Sequence, residues 1–136
     1  MSENKITLKQ ILENPPVEIE VPGVGKFLVR EPTRKDRIEA REEARKLPYW
    51  KDLTDIEQFE EINVRIVVRT IVEPKMTLED LQNMPLSKQT AIVDTVSAFH
   101  NKRILDLYEK RRKLLEDFLG QTKEKKASSS SLSYSM

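Results

Sequence analysis

Residues 17–30 constrain this chain more than any other stretch. Val17-Glu18-Ile19-Glu20-Val21 alternates apolar and charged side chains with the period of two that marks a half-buried strand. Pro22-Gly23-Val24-Gly25 follows as turn chemistry, because proline presets φ and glycine tolerates positive φ. Lys26-Phe27-Leu28-Val29-Arg30 reads as the returning strand. A lone hairpin is marginal in water, so its apolar face must pack on something helical. Gly23-Val24-Gly25-Lys26 is a poor phosphate-binding loop: the spaced first glycine is missing, and Phe27 occupies the place of the magnesium-holding Ser or Thr.

Helical patterns fill most of the rest. Thr7 to Asn14 fits a short amphipathic turn stopped by Pro15-Pro16. Thr33 with Asp36 resembles a capped helix start, and the helix to about Lys46 carries ten ionic residues in fourteen. Only Ile38, Ala40 and Ala44 offer it a core face, so it is expected to be exposed and mobile. From Asp52 to Val72 the spacing of Ile56, Phe59, Ile62 and Ile66 predicts the central, most buried helix; its β-branched end, Val64 to Val72, also admits a strand. Thr77 and Asp80 box a short helix ended by Pro85, and Ser87 caps a final helix to about Leu119 with Gly120 as its stop. The fold class expected is α+β, mainly helical: an N-terminal β-hairpin packed on three to four helices, then a long C-terminal helix. Residues 1–16 form an arm, 17–119 a single domain, and 120–136 a disordered tail, where six of the last ten residues are serine.

Composition removes most chemistry. A chain of 136 residues without cysteine has no disulfide, thiolate nucleophile or Cys-zinc site. His100, the sole histidine, cannot build a multi-histidine metal site. Its helical neighbours Asp94 and Ser97 bring no oxyanion loop with them. Acid pairs such as Glu42-Glu43 and Glu60-Glu61 lie among arginines and read as solvated, salt-bridged surface. No cofactor, metal site or enzymatic activity is expected. Nothing resembles a signal peptide or a span of ~20 apolar residues, so a soluble intracellular protein is expected, with no membrane partner.

The formal net charge of +1 conceals an asymmetry. Residues 100–126 carry nine basic and five acidic side chains, a net of +4, against fifteen and eighteen, a net of −3, in residues 1–99. A nucleic-acid-binding regulator would use Lys110-Arg111-Arg112-Lys113 on phosphates, but no aromatic platform or recognised DNA-binding turn accompanies it, and Leu114, Leu115 and Phe118 interrupt the basic face. A helix with basic and apolar faces suits docking on another protein. The candidate partner-binding residues are Ile104, Leu107, Tyr108, Arg111, Arg112, Leu114, Leu115 and Phe118. Three uses stand open for them: a client, a homo-oligomer seam, or folding back into the chain's own core.

The order of elements adds a resemblance. A helical turn, a hairpin ending Phe27-Leu28-Val29-Arg30-Glu31-Pro32-Thr33, a charged helix, an apolar helix closing Val72-Glu73-Pro74-Lys75-Met76-Thr77, then Leu78-Glu79-Asp80-Leu81, resembles the tail assembly chaperones of long-tailed phages over about residues 5–119. The resemblance implies a non-enzymatic protein of the host cell cytoplasm that binds the tape measure protein, keeps its apolar helices soluble and helps recruit tail tube protein subunits. It also implies a longer form made by ribosomal frameshifting, for which Lys123-Glu124-Lys125-Lys126 suits A-rich codons. The alternative is a structural or adaptor subunit of the assembled particle.

Overall fold

The alternating stretch does form a hairpin. In the computed structural model, which describes residues 5–125 with side chains through residue 120, β1 (Val17–Val21) pairs antiparallel with β2 (Gly25–Val29). Val17 faces Val29, Ile19 faces Phe27 and Val21 faces Gly25, which puts the apolar members on one side of the sheet. The Val24 amide donates to the Val21 carbonyl at 2.9 Å. Gly23 (φ +77°) and Gly25 (φ +143°) supply backbone angles that an L side chain would strain.

A third strand extends the sheet. β3 (Ile71–Glu73) pairs antiparallel with the other edge of β2, with an irregularity between Leu28 and Val29, so the order is β1-β2-β3. The helix expected through Val72 therefore ends at Thr70. Two causes act together. Glu73, the residue before Pro74, is biased to extended backbone, and the Arg30 amide donates to the Thr70 carbonyl at 3.0 Å, satisfying a group that the helix leaves open.

The helices are α1 (Leu8–Leu12), α2 (Arg34–Arg45), α3 (Asp55–Thr70), α4 (Leu78–Asn83) and α5 (Leu86–Lys125), with a 3-10 turn at Trp50–Asp52. One device starts the first four. Thr7, Thr33, Thr54 and Thr77 each accept from the amide three residues on, while Gln10, Asp36, Glu57 and Asp80 reach back to the cap. Each such cap is worth about 1 kcal/mol. Gly120 does not stop α5, which continues to Lys125. A glycine ends a helix where it turns left-handed, and otherwise costs only about 1 kcal/mol inside one. Of the tail expected to be disordered, 120–136, residues 120–125 are helical instead, and 126–136 lie outside the described residues.

The chain divides into two units after His100. In the first, Val21, Phe27, Val29, Val67, Ile71, Leu81, Ile92 and Val96 form the core, with Ile19, Val64, Val68, Met76 and Phe99 packed around it. Two expectations about helices change here. α3 buries only Arg65, Val67 and Thr70, and its supposed core residues Ile56 and Phe59 are 72% and 68% exposed. Three short strands and α4 give the C-terminal half of α3 something to pack on, and little more. The charged α2 buries as many residues as α3: Asp36, Ala40 and Ala44. Its two alanines, one turn apart, are fully buried and α2 packs along α3, so a helix with little grease still packs. The second unit, from Asn101, is described only as helix. No helix among the described residues is long and apolar enough to cross a membrane.

Candidate partner-binding face

Steps of three and four along a helix return a side chain to the same face. Ile104, Leu107, Tyr108, Arg111, Arg112, Leu114, Leu115 and Phe118 follow those steps on α5, and the helix brings all eight to one broad face. Leu105 and Leu119, which are not among the candidates above, join them. Their signal was available, since Leu105, Tyr108, Arg112, Leu115 and Leu119 repeat the same spacing one residue later.

All these side chains are exposed. The eight apolar members, from Ile104 at 45% to Leu114 at 70%, keep about half or more of their surface in water. Between the apolar blocks 104–108 and 114–119 stand Arg111 and Arg112. Arg112 makes loose ion pairs with Glu109 (3.7 Å) and Glu116 (3.4 Å) on its own helix. Exposed pairs of this kind contribute little and leave the guanidinium available.

The first unit holds a different polar constellation, of which the sequence showed only the Thr33–Asp36 cap. Arg30 grips Asp36 with two nitrogens, at 2.7 and 3.1 Å, and donates to the carbonyls of Glu31 and Arg69, each at 3.0 Å. One guanidinium thereby ties the end of β2 to the start of α2 and the last turn of α3. Arg69 adds a 3.4 Å contact to Asp36 and pairs with Glu39 and Glu43. Arg65 meets Glu61 at 2.9 Å and Glu43 at 3.7 Å. Of the acid pairs expected as solvated, salt-bridged surface, Glu42, Glu43 and Glu60 are exposed and Glu61 is half-buried, whereas Asp36 and Arg65 are only 6% and 7% exposed. Charge alone could not reveal this, because burial is decided by the bidentate geometry across three elements.

Burial by itself would raise the Asp36 carboxyl, but hydrogen bonds from Arg30 and from the amide and hydroxyl of Thr33 outweigh it. They hold the group far below the usual carboxylate range. His100 lies against the same cluster, 6% exposed, with Nε2 lacking a hydrogen-bond partner. Burial lowers its pKa, opposed by a hydrogen bond to the Arg30 backbone and by the charge of Glu31. Ser97, the nucleophile one would test beside it, accepts instead from Asn63 Nδ2 at 2.9 Å and pins α5 to α3. No three or more metal-ligating side chains cluster among the described residues. This constellation locks elements together, and the exposed face of α5 is where a second molecule has room. No protein family model, curated protein or solved structure matches the chain.

Proposed function

We propose that the chain is a non-enzymatic tail assembly chaperone, which holds the tape measure protein of a long-tailed phage in solution and helps bring tail tube subunits to it. Its place of action is the host cell cytoplasm. The observation that carries this reading is the exposed apolar face of residues 104–119, edged by charge. A large apolar patch rimmed by polar residues marks an interaction site. The resemblance of residues 5–119 to tail assembly chaperones supplies the kind of client.

The magnitudes suit a holder. Fully burying one such side chain is worth about 1.5–3 kcal/mol, so eight give roughly 12 kcal/mol gross at the low end. Association costs about 4–15 kcal/mol in lost freedom. The balance is modest, and modest binding is reversible. A chaperone of assembly must release what it holds, which an obligate subunit need not do.

Co-expression with the tape measure protein is the test. The wild-type chain is expected to render that protein soluble and to co-purify with it. Leu114→Asp combined with Phe118→Asp places two charges on the face, and is expected to abolish both effects while the core of residues 17–100 stays folded. A double variant that remains folded and still solubilises the tape measure protein removes this face from the reading.

A further inference from the structure

The pattern of residues 104–119 specifies more than apolar surface. Ile104, Leu107, Arg111, Leu114 and Phe118 succeed one another at steps of 3, 4, 3 and 4, the a and d spacing of a coiled-coil seam. Leu105, Tyr108, Arg112, Leu115 and Leu119 do the same in the adjoining row. Every other position from 102 to 117 is charged. The double row makes the face wide enough to cradle a second helix, and the regular steps match the knobs such a helix would insert.

Both rows are interrupted at one level. Arg111 stands in the first and Arg112 in the second, with apolar blocks before and after. Arg112 has its own carboxylates, Glu109 and Glu116, but Arg111 makes no ion pair among the described residues. Covering this face with an apolar helix would strip water from an uncompensated guanidinium, which is costly. Covering it with a helix that carries a carboxylate at that level would not.

We infer that the occupant of this face is an amphipathic helix of another protein in which two apolar blocks flank an acidic residue level with Arg111 and Arg112. The inference rests on the holding function above and adds to it a rule for which client segments are held. It also disfavours a second copy of this chain. Any symmetric pairing of two such helices, parallel or antiparallel, that overlaps both apolar blocks sets the arginines level with their own counterparts, and like charges so placed repel.

The test uses the full chain and two synthetic amphipathic helices of about four heptads. They are identical except for Glu or Lys at the central a position. At low salt the Glu peptide is expected to bind at least about tenfold more tightly than the Lys peptide. Arg111→Glu with Arg112→Glu, checked for unchanged helicity by circular dichroism, is expected to reverse that order. Equal affinity of the wild-type chain for the two peptides overturns the acidic layer and leaves the holding function standing. Failure of both peptides to bind overturns the two together. Sedimentation of the free chain as a dimer that Leu114→Asp with Phe118→Asp dissociates replaces the foreign helix with a second copy.

Discussion

Residues 30–70 and residues 104–119 place their side chains in opposite ways. In the first region Asp36 and Arg65 are buried while Ile56 and Phe59 stand in water. In the second the apolar residues are exposed throughout, and apart from Arg111 and Arg112, which interrupt them, the charges occupy the other face of the same helix. The contrast shows that burial follows the availability of a matching partner more closely than it follows residue type. Asp36 finds two nitrogens of Arg30, the Thr33 amide and the Thr33 hydroxyl at hydrogen-bond distance, which together replace its water. A single helix has no second layer of its own, so Leu107 or Leu114 has nothing to be buried against within it.

The sharpest way to break the comparison is to make one truncation in both places. Leu81 is fully buried in the core and Leu114 is exposed on α5. Leu81→Ala is expected to lower unfolding stability by about 3–5 kcal/mol, the cost of lost transfer energy plus a cavity. Leu114→Ala is expected to change it by less than about 0.5 kcal/mol. Urea denaturation of the two variants beside the wild type measures both. Similar losses would mean that residue 114 is covered by the chain itself, and the face would no longer be free for a partner.

Asp36 comes next. Removing it takes away the carboxylate half of the α2 capping box and leaves Arg30 and Arg69 without their shared carboxylate, so Asp36→Ala is expected to cost about 2–3 kcal/mol. The pH dependence has a definite sign. A carboxyl held below its unfolded value of about 4 stabilises the fold above that pH, and the contribution disappears as pH falls toward the folded value. The acid branch of the stability curve is therefore expected to be shallower in Asp36→Ala than in the wild type. Identical acid branches would show that the ion network is solvated, like the exposed pairs on α5.

The legibility of each region follows from how local its physics is. The hairpin, its glycine turn and the Thr33–Asp36 and Thr77–Asp80 caps join residues no more than twelve apart, and all of them were readable. So was the face of α5, since 3-and-4 spacing within one helix needs no knowledge of the rest. β3 was only half legible: the strand alternative over Val64 to Val72 touched it, but Ile71–Glu73 becomes a strand only when β2 lies beside it. Ile56 and Phe59 were misplaced for the converse reason: their periodicity is helical, but no strand reaches that end of α3. Asp36 served as a visible cap, yet its second role with Arg30 and Arg69 joins residues 6 and 33 apart and leaves no periodic trace.

The smallest expected effect probes the boundary between the two regions. His100 is the last residue of the first unit, buried against Arg30, Glu31 and Asp36. Burial depresses its pKa, helped by the charge of Arg30 and opposed by the Arg30 backbone and by the carboxylates of Glu31 and Asp36. Below the unfolded value of about 6.5 the unfolded chain therefore takes up a proton more readily than the folded one, and stability falls as pH falls. Glutamine keeps a donor for the Arg30 backbone and does not titrate. In His100→Gln the decline in urea midpoint between about pH 7.5 and pH 5.5 should be smaller than in the wild type, while helix content is unchanged. Parallel declines would place the imidazole in water and end the contrast at residue 100, because the polar groups of the first unit would then be no drier than the apolar groups of the second.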